Sequence, residues 1–221
     1  MTESSPPQRP ATTLITGAAG NLGGFLARYL AARGHSLRLL YHRRALPDDE
    51  EERSLFERTR GTGTTPIVLR LGMVYGRGVL MIEGARWLAR HRLLGVWRQP
   101  TLMQLLSTAD FLAATEAAIV NPGVQGIYHV GDEQPVTLQH FLDEACRVWG
   151  YRPPFRLPVW AIYTAAALCE AFAFVARTPS PLTRDFIRIG RVSHWGDTRR
   201  AREDLIPTLK YPNLASGLPT L

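Results

Sequence analysis

The stretch from residue 12 to residue 41 leaves few folds open to this chain. Thr12 to Thr16 (TTLIT) is a β-branched apolar run of strand length. It feeds directly into Gly17-Ala18-Ala19-Gly20-Asn21-Leu22-Gly23-Gly24. The period then changes: Leu22, Phe25, Leu26, Tyr29 and Leu30 recur at the spacing of one helix face. Gly34 stands where a helix C-cap belongs, and Leu37 to Tyr41 (LRLLY) reads as a second strand. Strand, glycine turn, helix and strand make a βαβ unit, which commits the chain to a parallel sheet covered by helices.

The glycines have a physical task in such a unit. Gly17 can take the angles of a tight turn, Gly20 lets the main chain approach a pyrophosphate, and Gly23 lets the helix pack close to the strand. The helix N-terminus then offers N–H groups and a partial positive charge to the phosphates. A bare G-x-x-G-x-x-G is weak; placed between a strand and an amphipathic helix it points to dinucleotide binding. The candidate cofactor-binding residues are Gly17, Ala19, Gly20, Asn21, Leu22 and Gly23, joined by Arg43 and Arg44. A carboxylate ending the second strand would accept from the ribose 2′-OH of NAD. Here Tyr41-His42-Arg43-Arg44 ends it, with no acid until Asp48. Two guanidinium forks there suit a 2′-phosphate, so the expected cofactor is NADP or NAD, with the lean to NADP.

The Gly-x-x-Gly-x-x-Gly spacing after Thr16 resembles the short-chain dehydrogenase/reductase superfamily, and within it the extended NAD-dependent epimerase/dehydratase family. The segment Leu69-Arg70-Leu71-Gly72-Met73-Val74-Tyr75-Gly76-Arg77-Gly78 is similar to that family's L-R-x-x-x-V-Y-G-x-G stretch, with Leu71 where a proline is usual. The resemblance implies hydride-transfer ancestry and a Tyr-x-x-x-Lys helix, whose tyrosine moves the proton while the lysine lowers its pKa. This chain has no such pair. Lys210 is the only lysine among 26 basic residues, and position 206 is isoleucine. Arginine does not share lysine's compact ammonium. Only 21 residues separate Arg44 from the next strand, Pro66 to Leu71, where the family would place further βα units. They hold one short helix opening on Asp48-Asp49-Glu50-Glu51-Glu52. The chain thus resembles an internally shortened member with no catalytic residue to name, and no metal-ligand spacing is present.

Strands at 12–16, 37–41, 66–71 and 126–130 are apolar enough to be parallel and buried. The expectation is a reduced, Rossmann-like α/β sheet of about four strands in order 2-1-3-4, the 48–58 helix being the right-handed crossover. The nucleotide-binding domain is expected over 12–75 and 106–131, after a flexible tail at 1–11. A small, mostly helical domain of the substrate type takes 76–105 and 132–221. Within it, Asp110 matches an acid that opens a family helix, with a role in capping and alignment. Thr137 caps a helix with Leu138, Phe141, Leu142, Ala145 and Trp149 inside, and His140 and Asp143 read as a solvent-facing pair. The run from Asp197 to Leu205, with Tyr211-Pro212 and Gly217-Leu218 after it, is similar to the C-terminal segment of sterol-dehydrogenase-like members, its acid-threonine start reading as an N-cap.

Val159 to Ala176 (VWAIYTAAALCEAFAFVA) carries one charge in eighteen residues. A helix buried in a domain or lying over it is the expectation; monotopic membrane contact is the alternative. Cys146 and Cys169 fit no metal pattern and suit a reducing cytoplasm. A net charge of +7 admits anionic partners, but the arginines are dispersed among acids, which argues against nucleic acid. What remains is a dinucleotide and a small-molecule substrate that the residues do not identify. Three accounts stay open at this point: a member of the epimerase/dehydratase type, a noncatalytic nucleotide-binding or sensor protein on the same fold, and a partial gene product.

Overall fold

The computed structural model describes residues 12–16, 20–40, 67–178, 180 and 182–221. They divide into two compact units, one made of the described residues up to Ile67 with 115–126, the other of those in 68–114 and 127–221.

In the first unit β1 (Thr12–Thr16) is followed by α1 (Asn21–Ala32) and β2 (Ser36–Leu40). β2 lies parallel to β1, with Thr12 opposite Ser36 and Thr16 opposite Leu40. This is the βαβ unit that the change of period implies. Its core is Ile15, Ala27 and Leu30, against which Leu26, Tyr29 and Leu37 pack. Helix α1 ends as expected: Gly34 takes φ +80°, and its N–H donates to the Ala31 carbonyl at 3.0 Å. The crossover helix over 48–58 and the tail at 1–11 lie outside the described residues.

Next come β3 (Ile67–Leu71) and β4 (Met73–Tyr75), which are one strand interrupted by a change of partner. β3 pairs with β8 (Gly126–Val130), whereas β4 lies parallel to β7 (Leu105–Ser107). Gly72 is the hinge. Its N–H donates to the Val130 carbonyl, and a Cβ there would stand 2.7 Å from the Gln104 carbonyl oxygen, too close for any side chain. The β1–β2 and β3–β8 pairings are the outer neighbours of the expected order; the described residues contain no ladder for the middle one.

Helix α2 (Leu80–Arg90) precedes β5 (Gly95–Trp97) and β6 (Leu102–Met103). After β7, α3 (Thr108–Val120) leads to β8. β9 (Val136–Thr137) pairs antiparallel with β6, and Thr137 caps α4 (Leu138–Val148) by accepting from the His140 N–H at 3.1 Å. β10 (Phe155–Leu157) lies parallel to β5. Then come α5 (Val159–Ala176), α6 (Arg184–Gly190), α7 (Arg199–Asp204) and α8 (Leu214–Gly217), which ends in a 3-10 turn at Leu218–Thr220. The buried Gln139 ties α4 to β5: its amide donates to the Trp97 carbonyl at 3.0 Å, and its oxygen accepts from the Thr101 N–H at 3.1 Å. The architecture is α/β with parallel strand pairs, as expected, but it uses more and shorter strands than four.

One local expectation is corrected. Asp143 does not form a solvent-facing pair with His140; its carboxylate accepts from Arg156 at 2.6 Å. Helix α7 starts at the expected acid-threonine pair: Thr198 is its N-cap residue, and Asp197 supplies the side-chain bond by accepting from the Arg199 N–H at 3.0 Å.

Candidate functional site

The glycine-rich entry to α1 is the first candidate. Gly20 is the N-cap residue, extended at φ −75° and ψ 165°, and it caps with no side chain. Its carbonyl accepts the Gly24 N–H at 2.8 Å, which closes the first turn. In the first turn of a helix the N–H groups have no carbonyl one turn back. No acid stands in that turn to compete for them. Gly20 is exposed, while Asn21, Leu22 and Gly23 are half-buried. Gly17, Ala19, Arg43 and Arg44 lie outside the described residues. A bare glycine cap with no local carboxylate is what a pyrophosphate requires, so the described part of the turn fits a dinucleotide.

The far end of α1 is held by Glu116, a residue the sequence reading passed over. Its carboxylate accepts from the Tyr29 hydroxyl at 3.0 Å and meets His35 Nε2 at 3.1 Å and Arg33 Nε at 3.1 Å. The Arg33 guanidinium also lies over the Tyr29 ring, 4.1 Å from its centre. Burial and the Glu116 carboxylate raise the Tyr29 phenol, so it stays a hydrogen-bond donor. One acid therefore fixes the C-terminal end of the helix whose N-terminal end is the candidate anion site.

The second candidate lies in the larger unit. Tyr75 ends β4 fully buried, its ring edge-on to Phe141 with centroids 5.9 Å apart. Among the described residues its hydroxyl has no hydrogen-bond partner, and neither carboxyl oxygen of Asp132 has one. Asp132 is only 1% exposed. It follows Gly131 at the end of β8, where its N–H donates to the Leu105 carbonyl at 2.6 Å. Gln104 crosses beside it, donating to the Asp132 carbonyl at 2.8 Å and accepting from the Gly196 N–H at 3.1 Å. Burial first, then the charges of Asp110 and Glu133, push the Asp132 carboxyl up to about 8. The Tyr75 phenol is pushed well above its ordinary value by burial and by the Asp132 and Asp110 carboxylates.

Asp110 has a different part. Its carboxylate accepts from the Lys210 N–H at 2.6 Å, the Tyr211 N–H at 3.1 Å and the Ser107 hydroxyl at 2.6 Å. The Ser107 hydroxyl accepts in turn from the Asp110 N–H at 3.0 Å. Ser107 is thus the cap of α3, and Asp110 is the tie that holds the C-terminal segment, in keeping with alignment rather than capping. Lys210 enters this tie through its main chain, and its ammonium sits 5.6 Å from the centre of the Tyr211 ring.

Proton transfer through a tyrosine needs a phenol whose pKa falls toward neutrality. At Tyr75 the geometry works against this, since its phenol is raised. Tyr128 donates to Asp204 at 3.0 Å with the Arg200 guanidinium stacked 4.4 Å from its ring centre.

No protein-family model matches the sequence, and no curated protein matches it. Solved structures do match its shape. A human epimerase family protein, solved with NADPH, is 15% identical, with a TM-score of 0.67 over 94% of this chain and 98% of that one. A nucleoside-diphosphate-sugar epimerase from Pseudomonas aeruginosa is 13% identical, at 0.62 over 95% of each chain. The protein MoeE5, solved with UDP-glucose and NAD, is 15% identical, at 0.64 over 95% of this chain and 97% of that one. The fold is the Rossmann-like fold of these structures. At such identities the likeness speaks for the architecture; the residues of this chain must speak for its chemistry.

Proposed function

We propose that the chain is an NAD(P)-binding protein of the epimerase/dehydratase type, and that it has kept the cofactor site while losing the proton-transfer pair. The observation that carries this reading is the bare cap at Gly20, between parallel β1 and the amphipathic α1, with no acid in the first turn. Gly20, Asn21, Leu22 and Gly23 would hold the pyrophosphate, with Gly17 and Ala19 completing the turn. Arg43 and Arg44 favour NADP through a 2′-phosphate. A nicotinamide held there supplies hydride chemistry. The chain's own contribution is to bind and orient it through backbone N–H groups. That structural neighbours were solved with NADPH and with NAD agrees with this assignment.

Lysine is missing from the position such catalysis needs, and the buried Tyr75 is raised rather than lowered. Both observations favour a binding or sensing role over turnover. The two free cysteines accord with a cytoplasmic location. Exposed arginines paired to neighbouring acids, as in Arg147 with Glu144 and Arg199 with Asp197, accord with no nucleic-acid partner.

NADPH titration followed by nicotinamide fluorescence tests the proposal. Saturable binding is expected, weakened about a hundredfold by Gly20→Glu, because a carboxylate near phosphate at the helix entry costs a few kcal/mol. No saturation, or binding indifferent to that change, would defeat the reading. Saturable binding without oxidation of any offered alcohol would assign the protein to sensing. The internal shortening is tested by the coding DNA around codon 45: an in-frame Tyr-x-x-x-Lys segment there would identify a partial gene product.

A further inference from the structure

Helix α5 is not a core helix. It is apolar on every side, with a mean hydropathy of 1.7 over eighteen residues, yet only 17% of it is buried. Ile162, Ala166 and Ala173 form one narrow buried stripe. Half of its residues are exposed, including Trp160, Leu168, Phe172 and Phe174, the last 86% exposed. A helix hydrophobic all round finds its place in a protein core or a bilayer, not in water.

The helix is also tied into its unit at both ends. It is entered from β10, which is paired to β5. It ends abruptly at Arg177, left-handed at φ 52°, with the Thr178 N–H donating to the Ala173 carbonyl at 3.0 Å. Helix α6 then packs back against it. Glu170, the one charge on α5, is neutralised: its carboxylate accepts from the Arg184 N–H and from Arg184 Nε, each at 2.7 Å. Helix α6 adds exposed Phe186 and Ile189 to the apolar surface. Its rim is basic, since Arg177, Arg188 and Arg191 are all exposed, with Asp185 the remaining acid between residues 159 and 195.

We propose that the α5–α6 hairpin docks in the plane of a membrane surface carrying anionic lipid, its aromatic side chains in the acyl boundary and its arginines on the headgroups. A helix of eighteen residues is about 27 Å long, near the thickness of a hydrocarbon core. Anchored at both ends, however, it can lie in the interface but not cross it. Aromatic residues beside cationic ones are the composition of interfacial helices. The basic rim selects an anionic surface over a second copy of this chain, which would bring the same excess of arginines to the contact. The inference is independent of the cofactor assignment.

Flotation of the full chain with phosphatidylcholine vesicles, with and without about 30% phosphatidylglycerol, tests it. Binding to the anionic vesicles is expected, reduced by salt, with quenching of tryptophan fluorescence by brominated lipid. Phe172→Ser with Phe174→Ser should weaken binding at least about tenfold. Arg188→Glu with Arg191→Glu should remove the preference for anionic lipid. All four positions are exposed, and an unchanged thermal unfolding profile verifies that the variants fold. Failure of the native chain to bind either vesicle would overturn the proposal, as would Phe variants that bind like the native chain. A concentration-dependent dimer that the Phe changes abolish, without vesicle binding, would assign the face to a second copy instead.

Discussion

Replacing Asp132 by asparagine gives the sharpest test of the buried polar cluster. In the folded chain the carboxyl titrates at about 8, against 3.8 for an ordinary aspartate. The raised value means that the folded state holds the proton more tightly than the unfolded state. Stability from this group is therefore fully present below the unfolded value and is lost as pH rises through the folded one. Between about pH 4 and pH 8 folding takes up close to one proton, a slope of about −1.4 kcal/mol per pH unit. Over that window the loss is on the order of 5 kcal/mol. Asparagine keeps the shape and cannot ionise, so the slope due to this position vanishes. Its amide brings a second N–H into a site with few acceptors, at a cost of about 1–3 kcal/mol. The two profiles should cross: Asp132→Asn is less stable than the native chain near pH 4 and more stable near pH 8. Urea unfolding followed by tryptophan fluorescence at several pH values measures this, provided the m-value holds constant. Other titrating groups are common to both chains and cancel in the difference. Parallel stability profiles for the two chains would refute the reasoning, because they would mean that Asp132 ionises as freely when folded as when unfolded.

Other consequences are as direct. Asp110→Ala removes the acceptor of the Lys210 and Tyr211 N–H groups and of the Ser107 hydroxyl; a loss of about 3 kcal/mol is expected, with faster proteolysis after residue 204 as the local readout. Gly217→Ala places a methyl group against the Tyr75 hydroxyl, which should cost about 1–3 kcal/mol through overpacking. Combining it with Tyr75→Phe should recover part of that loss, measured by thermal or urea unfolding.

The parts of the fold that the sequence made legible are those whose cause is local. The β-branched run at Thr12–Thr16, the glycine turn, the helical period from Leu22 to Leu30 and the cap at Gly34 lie within a few residues of one another. The observed strands at 12–16, 36–40, 67–71 and 126–130 match expectation within one residue. Thr137 capped the helix it was expected to cap. Three-residue strands such as β4, β5, β7 and β10 escaped, since so short a run has no period of its own and exists only because a distant partner supplies its hydrogen bonds. Asp132 escaped for a related reason. An acid after a glycine at a strand end reads as a solvated turn, and only the approach of Gln104 and Leu105 encloses it.

The sequence by itself determined the βαβ entry, the bare glycine cap that suits a phosphate, and the absence of any lysine able to serve a Tyr-x-x-x-Lys pair. These follow from residue identity and near-neighbour spacing, which no packing can alter. The tertiary structure decided which carboxyl keeps its proton, which acid holds the C-terminal segment, and that an all-apolar helix faces outward. Those properties depend on which groups from distant parts of the chain exclude water from one another, and burial of that kind is not encoded in any short stretch of residues.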